Sequence, residues 1–215
     1  MIYLLSPTPH HACVHLPMIA FHPLIDRIAF GDAEALLFTS KKAVEFVDAI
    51  DTRWRTYPSF AVGEATARTI ETLGGRVEYR PEKFYGKQLS SDIATHFRDR
   101  AILYLRPKRV AFDIASALQA QGIVVSEQIV YETRCIDYPE GKTPPKGSIL
   151  LFTSPSTVRC FMRNFTWDPS YTAVAIGETT RQALDGIDRV VVADRPTIEA
   201  CVAKAQELLR NSNAT

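Results

Sequence analysis

Leu36-Leu37-Phe38-Thr39-Ser40, followed after a spacer by Ala61-Val62-Gly63-Glu64-Ala65-Thr66, decides the fold because the chain uses it twice. The second copy reads Leu150-Leu151-Phe152-Thr153-Ser154 and then Ala175-Ile176-Gly177-Glu178-Thr179-Thr180. Position 38 answers to 152, 40 to 154, 63 to 177 and 66 to 180, a constant offset of 114 residues. Two matches in the same order, with nothing inserted or deleted between them, mark a duplicated supersecondary unit. One duplication at this spacing predicts two sister domains rather than a solenoid, which needs several shorter repeats.

Outward from the first copy, short apolar runs alternate with helical patterns. Residues 35–38, 59–62, 76–79, 101–105 and 123–131 read as strands, and 41–50, 65–73, 90–97 and 110–121 as helices. Apolar residues at 43, 44, 46, 47 and 50 make one helical face. Gly74-Gly75 and Gly122 supply helix stops. Strands alternating with helices across short loops predict a parallel sheet covered on both faces. The Pro- and Gly-rich stretch 139–147 is a linker. Beyond it, strands at 148–152, 173–176 and 189–193 alternate with helices at 157–164, 179–184 and 198–209.

This second unit has fewer strands than the first. The N-terminal runs 2–5 and 14–21, too close together for a full crossover helix, are free to complete it. The expected fold class is therefore α/β: two similar Rossmann/flavodoxin-like parallel-sheet domains joined by a two-segment hinge, with a cleft between them. One domain comprises residues 1–25 and 140–215, the other 33–132, with linkers at 26–32 and 133–147.

A formal net charge of +1 argues against a dedicated nucleic-acid binder, which carries a basic stripe. No apolar run is long enough to span a bilayer, and Met1-Ile2-Tyr3-Leu4-Leu5 lacks the pattern of a signal peptide. Cys13, Cys135, Cys160 and Cys201 form no C-x-x-C pair, so neither a zinc site nor a disulfide framework is signalled. The expectation is a reduced, cytoplasmic protein.

In open parallel sheets, ligands bind beyond the carboxyl ends of the strands. Both copies of the repeat put hydroxyls there: Thr39 and Ser40, Thr66, Ser154 and Ser156, and Thr180. Gly63 and Gly177 open the following helices, with Gly63 allowing a tight turn. Free N–H groups at such starts attract anions, although Ser and Thr also cap helices everywhere. Arg106-Pro107-Lys108-Arg109 adds basic charge at a strand-to-helix turn, as an anion contact or a solvated loop. His10, His11, His15 and His22 crowd one segment without the accompanying ligands of a metal site, so no metal is assigned. Tyr131 lies where a strand leaves its domain and combines a core ring with a hydroxyl able to give a proton. Dinucleotide, P-loop, zincin and nucleophile-elbow motifs are all missing. Read alone, these residues suit binding and folding of a polyanion.

FTS-x-x-A-V (38–44), VG-x-A-T-A (62–67), VYET (130–133), FTSPS (152–156) and AIG-x-TT (175–180) occur together in this order. The set resembles the uroporphyrinogen-III synthase family. The resemblance implies two α/β domains, with the chain starting and ending in the same one, and no metal or organic cofactor. It implies cyclisation of hydroxymethylbilane, a linear tetrapyrrole bearing acetates and propionates. Loss of water gives an azafulvene, a spiro intermediate follows, and ring D is inverted in the product. Tyr131 matches the tyrosine that the family offers as proton donor to the leaving hydroxyl. Thr39, Ser40, Gly63, Thr66, Arg106, Ser154, Ser156, Gly177 and Thr180 become substrate contacts. The expected partners are the bilane and, transiently, the deaminase that makes it; a monomer is expected, without nucleic acid or membrane. The sequence departs from the family at Ser6-Pro7-Thr8-Pro9-His10-His11, where an Arg-containing turn and a helix are usual. A second reading is a non-enzymatic two-domain small-anion sensor or binding protein. A third, a transferase using a phosphorylated donor, would need a well-placed acid, and only Asp113 and Glu127 are offered.

Overall fold

The structure, a computed structural model, describes residues 1–81 and 86–212. The last residues of the expected segment 140–215 lie outside the described residues. In chain order come β1 (Ile2–Leu4), β2 (Val14–His15), β3 (Ile19–Pro23), β4 (Ala35–Phe38), α1 (Lys41–Ile50), a 3-10 turn (Thr52–Thr56) and β5 (Pro58–Ala61). Next are α2 (Glu64–Thr72), β6 (Arg76–Tyr79), α3 (Gly86–His96), β7 (Ile102–Pro107), α4 (Ile114–Gln119) and β8 (Val125–Cys135). The chain closes with β9 (Ile149–Phe152), α5 (Pro155–Asn164), β10 (Thr172–Ala175), α6 (Glu178–Gln182), β11 (Val190–Val192) and α7 (Ile198–Ser212).

Two compact units result, one of residues 1–20 with 134–215 and one of residues 21–133. The inserted unit has strand order β3-β8-β7-β4-β5-β6, and the other has β11-β10-β9-β1-β2. The repeat maps onto the same sequence of elements in each, β4-α1-β5-α2 and β9-α5-β10-α6. In the second unit β1 occupies the place that β7 holds in the first, beside the strand that opens the repeat. All the pairs from β4 to β8 and from β1 to β11 for which a register is seen are parallel.

Alternating side chains explain why β4 reads as an unbroken apolar run. Leu36 and Phe38 join a core with Val44, Val47, Trp54 and Ile70 under α1 and α2. Leu37 points the other way, into Phe60, Leu89, Ile93, Tyr104 and Ile114 beneath α3 and α4. Gly74, at φ +85°, ends α2 in the left-handed region. Gly75 is required for a different reason: a Cβ there would stand 2.3 Å from the Trp54 ring, which is fully buried.

The N-terminal region departs from the expected single strand at 14–21. Pro17 lacks an N–H and splits it. Leu16 and Met18 continue the β1 ladder by donating to the Leu4 and Leu5 carbonyls, while Ile19–Pro23 becomes β3 of the other sheet. The connection from β1 to β2 is made by loop rather than helix. The expected helix at 110–121 begins late, because Asp113 caps α4 by accepting from the Ser116 N–H.

The expectation that no disulfide forms is corrected by a Cys135–Cys160 bond. β8 runs on past its sheet until Cys135 meets α5, and nothing in their spacing announces that encounter. Asn164 fastens the same segment by donating to the Ile136 carbonyl and accepting from the Tyr138 N–H. Closing a sequence separation of 25 residues stabilises the unit by about 3 kcal/mol on chain-entropy grounds. Cys13 and Cys201 are free thiols. No described helix is long and apolar enough to cross a membrane.

Candidate active site

At the carboxyl ends of β8, β7, β4 and β5, four adjacent strands bring the candidate side chains of the inserted unit together. Thr39 and Ser40 form the turn from β4 into α1, and tyrosine hydroxyls meet both. Thr39 Oγ1 lies 2.8 Å from the Tyr104 hydroxyl, and Ser40 Oγ lies 3.0 Å from the Tyr131 hydroxyl. Ser40 also caps α1, its Oγ accepting from the Lys42 N–H at 3.1 Å.

Tyr131 is a core residue as well as a site residue. Its ring stacks on Phe46 at 5.2 Å and takes Phe21 edge-on at 5.7 Å. The Lys108 N–H donates to its carbonyl, tying the turn after β7 to the same position. Burial pushes its phenol above the ordinary value; the Ser40 hydrogen bond opposes this and the Glu45 carboxylate adds to it. The proton therefore stays on Tyr131 at neutral pH.

The basic turn behaves differently from a free cluster. Arg106 lies within β7, its guanidinium paired with Glu127 and donating to the Pro107 and Lys108 carbonyls. Lys108 pairs with Glu132 at 3.0 Å. Among the described residues, Arg109 and Lys41 are the nearby cations left without an acidic partner, and both are exposed. The sequence could not reveal this neutralisation, because Glu127 and Glu132 come from a strand about twenty residues further on.

Four helix starts looked equivalent in sequence, and the structure divides them. α1 and α5 are capped by serines: Ser154 Oγ accepts from the Thr157 N–H, and Thr157 Oγ1 answers with the Ser154 N–H in a capping box. Ser156 accepts from the Arg159 guanidinium at 3.1 Å. α2 and α6 open instead on Gly63 and Gly177, which offer no side-chain cap. Their φ values of −164° and −174° are extended, so the tight turn expected of Gly63 is not its role. A Cβ on Gly177 would meet nothing within 4 Å. One turn further, Thr66 is 5% exposed and Thr180 3%, yet neither hydroxyl has a protein partner among the described residues. No fully buried side-chain oxygen among those residues lacks a partner, so both hydroxyls reach the surface beside the bare N–H groups. In each unit the Thr N–H turns back to the glycine carbonyl, Thr66 to Gly63 at 3.1 Å and Thr180 to Gly177 at 3.0 Å, and the two N–H groups before it have no partner among the described residues.

The family model described as Uroporphyrinogen-III synthase HemD matches residues 10–203. The chain belongs to the uroporphyrinogen-III synthase family. A uroporphyrinogen-III synthase of Synechococcus elongatus is 29% identical over 183 residues, 74% of this chain and 68% of that protein. The porphyrin biosynthesis protein HemD of Ruminiclostridium josui is 29% identical over 191 residues, 80% of this chain; the match spans only 38% of that protein's length. The solved uroporphyrinogen-III synthetase of Helicobacter pylori has a TM-score of 0.81 at 25% identity, covering 96% of this chain and 98% of that one. A Thermus thermophilus uroporphyrinogen III synthase mutant, at 14% identity and TM-score 0.59 over 100% and 99% of the two chains, shares the fold.

In this member of the uroporphyrinogen-III synthase family, Tyr104 went unnoticed in the sequence. A tyrosine in the middle of an apolar strand looks like core, and only the packed sheet shows its hydroxyl on Thr39. The histidines of the N-terminal segment are engaged locally: His10 and His11 stack at 4.5 Å, and His15 Nε2 bonds the Ser6 carbonyl. Among the described residues no three His, Cys, Asp or Glu side chains are grouped to hold a metal. A groove at the amino end of the inserted sheet, lined by Phe30, Asp32, Leu103, Val124 and Glu127, contains none of the expected substrate contacts and not Tyr131.

Burial raises the Tyr104 phenol to about 12; the Thr39 bond and Arg106 oppose this, and Glu127 and Asp113 reinforce it. Because the folded value exceeds the unfolded one, the neutral phenol's contribution is complete below pH 10 and is lost as pH rises through 12. At pH 11 that loss is on the order of 1 kcal/mol. Urea unfolding at pH 8 and pH 11 should show a fall larger by this amount in the native protein than in Tyr104→Phe. Equal falls would mean that the phenol ionises as freely in the folded state as in the unfolded.

Proposed function

We propose that this chain converts hydroxymethylbilane to uroporphyrinogen III, the reaction for which its family is named. The observation that carries the reading is the pair of uncapped glycine starts, each beside a largely buried threonine whose hydroxyl reaches the surface without a partner among the described residues. A carboxylate is the complementary ligand, since it accepts from backbone N–H groups and a hydroxyl at once. The bilane's acetates and propionates supply such groups in number. In this proposal, Gly63 with Thr66 and Gly177 with Thr180 take carboxylates, while Arg109 and Lys41 contribute charge. Arg106 acts in building the turn rather than as a free cation.

Tyr131 gives its proton to the hydroxyl that leaves the bilane as water. Ser40 Oγ, already accepting from Lys42, has an O–H to turn toward the phenolic oxygen as that proton departs. The azafulvene is then attacked by the substituted carbon of the last ring, and the spiro intermediate fragments and recloses with ring D inverted. The type I isomer forms when the ends meet without inversion, so holding one folded conformer provides the selectivity. The same proposal includes a monomer that receives the bilane from a deaminase by transient contact; if it works in the cytoplasm, Cys135 and Cys160 are held there as thiols and the bond forms only under oxidising conditions.

The test supplies hydroxymethylbilane made in situ by a deaminase and resolves the oxidised porphyrin isomers by chromatography. Predominantly type III product, with no metal or organic cofactor added, is expected. Type I at the proportion of a protein-free control would overturn the proposal and favour a two-domain anion sensor.

A further inference from the structure

The hydrogen bond between Thr39 and Tyr104 has no counterpart in the second copy of the repeat. In the inserted unit the register pairs Leu37 with Tyr104; in the other unit it pairs Leu151 with Leu4. Thr153 thus follows the same strand ending with an apolar residue where Tyr104 would stand, and its hydroxyl has no partner among the described residues. The turn folds in both units, so a phenol is not needed to form it. A buried phenol also carries a liability that leucine does not, because its proton must find an acceptor.

Tyr104 is 1% exposed, and its only hydrogen-bond partner among the described residues is Thr39 Oγ1. By geometry either hydroxyl could donate in this bond, and burial is what argues for one direction. If Thr39 donated, the phenolic proton would be buried without an acceptor, so Tyr104 donates and Thr39 accepts. The Thr39 proton is then left to swing outward from the sheet, toward the carboxyl-end face where Ser40 and Tyr131 sit. The neighbouring pair lacks this constraint, since Ser40 also receives the Lys42 N–H and keeps its own proton for Tyr131 or for a ligand.

We propose that Tyr104 is a positioning residue that locks Thr39 as an outward hydrogen-bond donor to a substrate oxygen. The inference rests on the proposed synthase activity and on Thr39 touching the bilane. Tyr104 itself touches no substrate; it acts through Thr39. Its hydroxyl restricts the threonine rotor to orientations useful for binding and relieves Thr39 of donating inward. Thr153, lacking such a partner, keeps a free rotor.

The test measures kcat, KM for hydroxymethylbilane and the type III to type I ratio for four variants. Thr39→Val should raise KM about 10-fold and Tyr104→Phe about 5-fold, the loss of one oriented hydrogen bond. The double variant should be no worse than Thr39→Val alone, because Tyr104 has no route to the substrate except through Thr39. Thr39→Ser, which keeps both donor and acceptor, should retain native KM. A KM increase from Tyr104→Phe that adds in full to that of Thr39→Val would overturn the proposal, as would a native KM in Tyr104→Phe. Thermal unfolding of each variant separates these results from lost folding: a purely structural Tyr104 would lower Tm without the KM coupling. If the native protein yields only type I product, the synthase reading fails first. If it yields type III and Thr39→Val is native in KM, only the Thr39 contact and this inference fail.

Discussion

Replacing Tyr131 by phenylalanine is expected to lower kcat about 100-fold while leaving KM for hydroxymethylbilane within about twofold. The split follows from where the hydroxyl sits. The ring supplies the packing against Phe46 and Phe21, and phenylalanine retains it. Losing the bond to Ser40 costs about 1 kcal/mol of stability, too little to unfold a domain of this size. What disappears is the proton held ready for the departing hydroxyl, a contribution made chiefly in the transition state. Because burial holds the phenol above its ordinary value, any alkaline decline of native kcat on Tyr131's account should have its midpoint above pH 10. The measurement is a steady-state comparison of variant and native protein on freshly made bilane, with isomers resolved. A Tyr131→Phe enzyme with native kcat would remove the phenol from the mechanism and leave Ser40 or a water as the acid.

Gly177→Val should act in the opposite sense, raising KM about 100-fold with little change in the melting temperature. The backbone at Gly177 is extended, a conformation that valine adopts freely, and the space before its Cβ is open. In the unliganded fold the side chain therefore meets no obstacle, and the weaker helix start costs less than about 1 kcal/mol. In the proposed complex the same space holds a carboxylate bonded to the first-turn N–H groups and Thr180. Excluding that anion forfeits about 2–3 kcal/mol of charge-assisted hydrogen bonding. A stable variant with native KM would show that the glycine start of α6 does not receive the substrate.

The repeat made the architecture legible because its two halves carry both the strand and the helix start that follows. Phe38 with Ser40, and Phe152 with Ser154, mark the strand end and helix start in each of two parallel sheets, while the strand order and register come only with the packed fold. Legibility fails wherever the decisive partner is distant. Arg106 looks like a free cation until Glu127 is brought beside it, and Cys135 looks like an isolated thiol until β8 delivers it to α5. The distinction between capped and bare helix starts was half visible, since serine and glycine differ at 40 and 63. That Thr66 and Thr180 remain unpartnered depends on burial, which composition does not encode. Tyr104 was hidden for a related reason: strand periodicity reports which face a residue occupies, not what its hydroxyl reaches.

The place of β1 has a consequence for the order in which the protein is made. Its register pairs Leu4 with Leu151, so a strand made before the whole inserted unit lies between two others of its sheet and waits for a partner made far later. Throughout that interval the whole inserted unit, residues 21–133, emerges and can close its own core. Synthesis thus finishes the inserted sheet first, and β1 finds shelter only once β9 is made. Ile2, Leu4 and Leu5 are buried in the finished fold and exposed until then. A nascent chain stalled before β9 should therefore carry a folded insertion and an unsheltered β1, the natural point of engagement for a chaperone.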